Sequence, residues 1–422
     1  MTDYIEIQPC GPIDSEIRPP GSKSLTNRAL ICAALANGQS VLSGALKSED
    51  TEVMVSALKQ LGVSVESDWP NCQLTVQGTG GQLNNDTIEM DLQNSGTSIR
   101  FLTALCSLGS GNYLLDGTDR MRQRPIQELV DALTELGGQI ECRNGCPPVS
   151  INGNGLWGGS AEVRGDRSSQ FLSGLMMILP LMKKYSVLEV AGSLVSEPYV
   201  QMTGQVMREF GVDVSQIGNC YSVDPRHQYK ARELAIEPDA TAASYFWAAD
   251  AITGGRCRVD GLKVDAIQGD VRFLQILDQM GCQIIPDDEG TAIYGGPLNG
   301  IEADMNDISD TVQTLAAVAL FADGPTTITG VAHNRHKESD RIGDLATELR
   351  RMGAEVEELQ DGMVIHPQPL NSCQVETYND HRMAMALSLV GLKQPGIRIL
   401  NPQCTGKTYP KFFDDLNRVC QT

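Results

Sequence analysis

Basic residues recur in this chain beside small polar residues, each time just ahead of, or inside, an apolar run. Lys23 and Arg28 lie in SKSLTNRALICAALA, Arg100 in SGTSIRFLTALCSL and Arg167 before SSQFLSGLMMIL. Arg382 lies in NDHRMAMALSLVGL with Lys407 nearby, and HNRHKESDR concentrates Arg335, Lys337 and Arg341. Ser, Thr and Asp at such places are ordinary helix caps. The same helix starts also carry unpaired N–H groups and about half a positive charge, which suits them to anions. Cations at one phase of a recurring pattern, in a chain of net charge −20, therefore predict a convergent basic site for a small, highly anionic substrate between two domains. Asp310, Glu338, His381 and Lys23 are the titratable groups within these segments suited to acid–base work on such a substrate. Capping, surface ion pairing, packing and solvation are the ordinary roles of the four, and spacing alone does not bring them together.

Other motifs fall away. Gly153, Gly155 and Gly158 have dinucleotide-fingerprint spacing, but SAEVRG follows and reads as a strand, so a turn is expected. CTGKT resembles the end of a phosphate loop, yet Asn401 stands where its first Gly belongs. His333 and His336 sit beside Arg335 and Lys337, a poor setting for a metal ion, and no metal or cofactor is expected. The 53 acidic residues against 33 basic ones argue against nucleic acid or an anionic membrane as partner. No apolar run approaches the ~18 residues of a membrane span, the start lacks the marks of a signal peptide, and the twelve scattered Cys read as reduced thiols. A cytoplasmic protein is expected.

The elements that position the charges repeat. Anchored at Ser24, Thr97, Ser168, Thr241, Asp310 and Asp380, six segments follow one another at intervals of 69 to 73 residues, the mark of a repeated supersecondary unit. On the same beat, helices end in an apolar residue and Gly62, Gly137, Gly211, Gly281 or Gly353, each followed by an alternating, strand-like stretch. The sixth unit stops short, and its missing strands are expected from the N-terminal YIEIQPCGPIDSEIRPP. Three units per half then predict an α/β chain of two domains, residues 21–231 inserted between 1–20 and 232–422. An open solenoid is the alternative, although its units usually run to about 20–45 residues.

Read together, PGSKSLTNRAL, NSGTSIRFL, RQRPI, SSQFLSGLM, SEPY, DMNDISD, KESDRI, NDHRMAMA and CTGKTYP resemble, in order along nearly the whole chain, the motifs of the EPSP synthase family of enolpyruvyl transferases. The resemblance implies two domains, each of three βαβαββ units about a pseudo-threefold axis, with a cleft that closes on substrate. It implies transfer of the enolpyruvyl group of phosphoenolpyruvate to shikimate 3-phosphate with release of phosphate, without a cofactor, on the route to aromatic amino acids. The two substrates together carry roughly −5 to −6, a load that suits the basic cluster. Carried over by motif, Ser24, Arg28, Ser168, Ser169, Ser196 and Tyr199 hold shikimate 3-phosphate, with Gln170 against its ring and Lys337 near its carboxyl group. Lys23, Asp310 and His333 border the same substrate. Lys23, Asn94, Gly96, Arg124, Gln170, Arg341, Arg382 and Lys407 hold phosphoenolpyruvate, and Arg100 supports Arg124. Asp310, Glu338, Lys23 and His381 form the catalytic set, with Asp310 as base toward the 5-hydroxyl and Glu338, helped by Lys23, handling the proton at the methylene.

His333 stands where the family commonly has Asn, Phe101 where several members have Pro, and Glu197 where some have Lys. Gly96 is retained, and the resemblance implies that this small residue leaves room for the inhibitor glyphosate beside phosphoenolpyruvate. The sister transferase acting on UDP-N-acetylglucosamine is the nearest rival, but its reactive Cys has no counterpart in DGTDRMRQRPI. A non-catalytic scaffold is the rival from another class. No unpaired apolar stripe asks for a partner chain, so a monomer is expected.

Overall fold

A computed structural model of the chain describes residues 3–421. The six anchors fall at helix starts, in Lys23–Leu35, Gly96–Cys106, Ser169–Ile178, Ala240–Thr253, the pair Ser309–Thr311 and Val312–Ala319, and His381–Ser388. Ser22, Ser168, Asp239 and Asp380 cap four of them through their side chains, satisfying N–H groups that the helix itself leaves open. Asp310 instead lies in a 3-10 turn that runs into its helix, so its carboxylate is not spent on a cap. Helices such as Ala240–Thr253 are buried along every residue, as expected of helices apolar all round.

The second helices are Glu49–Gln60, Gln127–Glu135, Glu197–Glu209, Phe273–Met280 and Gly343–Arg351. Each is followed by its Gly in the left-handed region, with φ from +87° at Gly211 to +113° at Gly281. That conformation ends the helix and turns the chain into the next strand. Within one unit, Thr87–Asp91 runs parallel to Asn112–Asp116, which pairs antiparallel with Cys146–Asn152, and Gln139–Arg143 closes the far edge. Five sheets of this four-stranded pattern and one of three strands are present among the described residues.

The chain divides into two compact α/β units, Gly21–Glu237 and the residues up to Pro20 with those from Pro238 onward. Each has its own apolar core. The N-terminal strands part company, contrary to the expectation that both complete the sixth unit. Tyr4–Glu6 pairs antiparallel with Arg398–Leu400 of that unit. Ile13–Ile17 runs parallel to Gly255–Asp260 of the fourth unit, in register Ile13 to Gly255. The division after residue 231 also moves. Glu233–Ala235 pairs with Asn37–Ser43, so the inserted unit keeps those residues and ends at Glu237. Both outcomes depend on pairings between strands some two hundred or more residues apart, which local pattern does not encode. No helix among the described residues is long and apolar enough to cross a membrane.

One buried carboxyl group is set apart from the charged clusters described below. Asp250, on Ala240–Thr253, is 0% exposed, and burial pushes its pKa up to about 7, only partly offset by the Gly295 N–H, with Asp14 adding a like charge. The folded state thus favours the protonated form, and this group's contribution to stability falls as pH rises from the unfolded value near ~4 to about 7. Asp250→Asn should therefore be more stable than wild type at pH 8, by about 2–3 kcal/mol more than at pH 5. Urea midpoints at the two pH values measure this, and an equal difference at both would exclude the assignment.

Candidate active site

In the unit that carries both termini, Ser309–Thr311, the segment from Ala332 to Arg341 and the start of His381–Ser388 bring charged side chains together. Asp310 is the meeting point. Its Oδ1 accepts from Lys337 Nζ at 2.7 Å and Arg341 Nη1 at 3.1 Å, and its Oδ2 from Arg382 Nη2 at 2.7 Å. Burial alone would raise the Asp310 carboxyl, but Arg382, Lys337 and Arg341 outweigh it and hold it well below the usual carboxylate range. Lys337, also bonded to Ser309 Oγ at 3.2 Å, is pushed below the usual lysine value by burial, against the pull of Asp310.

Arg341 is 1% exposed and faces three carboxylates. Besides Asp310 it donates to Glu338 Oε2 at 2.9 Å and to Asp380 through Nε at 2.7 Å and Nη2 at 3.1 Å. Burial would lower its pKa, yet Asp380, Glu338 and Asp310 raise it instead. Glu338, 8% exposed, also lies 3.5 Å from Lys407 Nζ. Asp380 accepts in addition from Ser339 Oγ and the Arg382 backbone N–H, each at 2.9 Å. Four cations, Lys337, Arg341, Arg382 and Lys407, thus surround three carboxylates, a locally positive site in an acidic chain. His333 is buried nearby, and its pKa is pushed down to about 3 by burial and by Lys337, so it is neutral at physiological pH. His381 is also buried, with Nδ1 3.5 Å from Asp380 Oδ1, long for a hydrogen bond.

The inserted unit gathers a second set. Lys23, in the first turn of Lys23–Leu35, pairs with Asp50 at 3.3 Å. Arg124 Nη1 donates to the Asn94 carbonyl at 3.1 Å and to its side-chain Oδ1 at 3.2 Å. Arg100 donates to the Gly96 carbonyl at 3.1 Å, to Gln170 Oε1 at 3.2 Å and to the Pro125 carbonyl at 3.0 Å. Gln170 in turn donates to Thr97 Oγ1 at 3.3 Å, which links the helix starting at Gly96 to the one starting at Ser169. A Cβ on Gly96 would lie 2.5 Å from Arg124 Nη2 and 2.6 Å from Arg100 Nη1, so glycine is what lets the two guanidinium groups approach this helix start. Ser168 is half-buried and Ser169 buried at the head of their helix, and Ser24 is half-buried beside Lys23. Ser196 has φ of +52° just before Glu197–Glu209, the helix that carries Tyr199.

Arg28 is held inward. It donates to Thr203 Oγ1 at 2.7 Å, the Ser24 carbonyl at 3.0 Å and the Tyr199 carbonyl at 3.2 Å, between the rings of Phe101 and Tyr199. Burial without a carboxylate brings its pKa down to about 10. It fixes the Ser24 and Tyr199 backbones relative to one another. Thr203, Asp50, Ser309, Ser339, Tyr245 and Asp380 also hold site groups and were not singled out from sequence for that role. The signal for Asp380 was its place directly before His381 and Arg382.

The chain matches known proteins over nearly its whole length. A protein-family model of EPSP synthase (3-phosphoshikimate 1-carboxyvinyltransferase) aligns with residues 7–416. The chain belongs to the EPSP synthase family. A 3-phosphoshikimate 1-carboxyvinyltransferase of Trichormus variabilis is 47% identical over 95% of both chains, and that of Shewanella loihica 43% identical over 99% of both. Among solved structures, EPSP synthase from Acinetobacter baumannii superposes with a TM-score of 0.82 at 26% identity, covering 99% of this chain and 98% of that one. The enolpyruvyl transferase NikO from Streptomyces tendae, 18% identical over 99% and 97% of the two chains, shares the fold with a TM-score of 0.76.

Asp380 tests how far the cluster holds itself together. Asp380→Asn leaves the buried Arg341 short of a charge partner and should lower stability by about 3–5 kcal/mol. Adding Arg341→Gln should recover part of that loss, as a double-mutant cycle in urea would show. Additive losses would mean that the pair is not coupled.

Proposed function

We propose that the chain transfers the enolpyruvyl group of phosphoenolpyruvate to the 5-hydroxyl of shikimate 3-phosphate and releases phosphate, the reaction named for its family. The observation that carries the mechanism is Asp310, an ionised carboxylate bonded to Lys337, Arg341 and Arg382 at once. A base so stabilised is weak. An arriving phosphate or carboxylate competes for the same three cations, and as they turn to the ligand Asp310 loses stabilisation and its proton affinity climbs. Substrate binding therefore makes the base. Asp310 then takes the 5-hydroxyl proton as that oxygen attacks C2 of phosphoenolpyruvate.

The attack requires a proton at C3. Glu338, held by Arg341 and facing Lys407, exchanges it, and the family resemblance adds Lys23 to the step. Loss of the C3 proton and of phosphate from the tetrahedral adduct regenerates the double bond. For phosphoenolpyruvate and the charge that develops on the departing phosphate, the unit carrying both termini offers Arg341, Arg382 and Lys407, and the inserted unit, taken by itself, offers Lys23, Arg124, Asn94 and Gly96. Ser24, Ser168, Ser169, Gln170, Ser196, Tyr199, His333 and Lys337 hold shikimate 3-phosphate. Arg28 acts beneath them through the Ser24 and Tyr199 carbonyls.

Purified protein should release phosphate from phosphoenolpyruvate only when shikimate 3-phosphate is added, and should do so in the presence of a chelator. Asp310→Asn should lower kcat by about 10²–10⁴; a variant that turns over like wild type would remove Asp310 from this role. No release by folded wild-type protein would send the search to UDP-N-acetylglucosamine as acceptor. Gly96→Ala provides a second test. The guanidinium tips of Arg124 and Arg100 can yield to the new methyl, so the variant folds, while the space beside the phosphoenolpyruvate groups shrinks. Inhibition by glyphosate should weaken by about tenfold or more, and unchanged sensitivity would show that the inhibitor does not bind there.

A further inference from the structure

The two segments that deliver Arg382 and Lys407 each start from left-handed backbone. Tyr378 and Asn379, with φ of +53° and +54°, come directly before Asp380 and the helix His381–Ser388. Asn401, with φ of +50°, comes directly before the turn Pro402–Lys407. Asparagine enters this region readily and tyrosine does not, so something must hold Tyr378 there. Glu348 does so from the helix Gly343–Arg351. It is 0% exposed and accepts from the Tyr378 hydroxyl at 2.9 Å and from the Glu376 backbone N–H at 3.0 Å. Arg351 Nη1 meets its charge at 2.8 and 2.9 Å. The two left-handed asparagines are then bonded to each other, Asn401 Nδ2 donating to Asn379 Oδ1 at 3.1 Å. Asn401 makes no side-chain cap to its own turn, so its amide serves the partner segment instead.

We propose that Asn379 and Asn401, braced by Tyr378 on Glu348, are positioning residues that set the spacing of Arg382 and Lys407 so that both cations meet one small anion. In the reading above, on which the identity of that anion rests, it is phosphoenolpyruvate. Arg382 lies three residues beyond one asparagine and Lys407 six beyond the other, and the clasp acts through the backbone in between. Without it both charges persist and the helix His381–Ser388 still packs on the turn Pro402–Lys407, but the leading residues of the two segments are no longer fixed to each other, and the paired site loses part of its preorganisation.

Asn379→Gly and Asn401→Gly delete the bond while leaving the left-handed backbone accessible. Each should raise KM for phosphoenolpyruvate about tenfold, with kcat and KM for shikimate 3-phosphate changing less than about twofold. Asn379→Asp keeps the acceptor and should behave as wild type. Asn401→Asp should also retain function, since the Asn379 amide can turn to donate. The double aspartate variant sets two carboxylates against each other and should reproduce the glycine defect. Unchanged KM in the glycine variants overturns the proposal, as does a uniform loss in all three constants together with a lower Tm. If wild-type protein shows no turnover with shikimate 3-phosphate, the reading of function falls. The clasp is then judged by dissociation constants of the same variants for phosphoenolpyruvate and inorganic phosphate, and equal constants overturn it.

Discussion

A guanidinium group taken out of water needs opposite charge or a set of hydrogen-bond acceptors in exchange, and the C-terminal half of this chain is arranged around that demand at Arg341. Its own segment supplies Glu338, three residues away, and segments 31 and 39 residues away supply Asp310 and Asp380. Each of these acids is shared. Asp310 also serves Lys337 and Arg382, Glu338 faces Lys407, and Asp380 accepts from the Arg382 backbone. Signs therefore alternate through the cluster, so each cation has an acid beside it. Four basic side chains thereby gather in one place within a protein of net charge −20.

The inserted unit solves the same problem by other means. Arg28 is buried among neutral oxygens and ring faces rather than carboxylates. Its positive charge thereby adds to the positive N-terminal ends of Lys23–Leu35 and Glu197–Glu209. Such an arrangement favours a negative ligand close by without offering an acid that it must first displace.

The parts of this architecture that were legible in sequence are those with local causes. Helix starts at Ser24, Thr97 and Asp380 follow from a polar residue ahead of an apolar run, and helix ends at Gly62 or Gly281 follow from the single residue type that adopts their backbone readily. Their repetition exposed the six units. The parts that were not legible have distant causes. A three-residue strand such as Glu233–Ala235 has no signal of its own, and its partner Asn37–Ser43 lies about 190 residues away. Asp380 looked like a cap, and is one, but its second role exists only because Arg341 reaches it from 39 residues upstream. Charge pattern alone pointed to a small anion; the names of the substrates came from the family resemblance.

The pairing of Tyr4–Glu6 with Arg398–Leu400 has a bearing on how the chain acquires its structure during synthesis. The strand made first has to wait for a partner made almost last, and Ile13–Ile17 waits for Gly255–Asp260. By contrast, Gly21–Glu237 contains every strand its own sheets use. On the ribosome the middle of the protein can therefore be finished while its beginning is still unpaired. Tyr4–Glu6 and Ile13–Ile17 then travel unpaired, and their exposed N–H and C=O groups are open to pairing with other molecules.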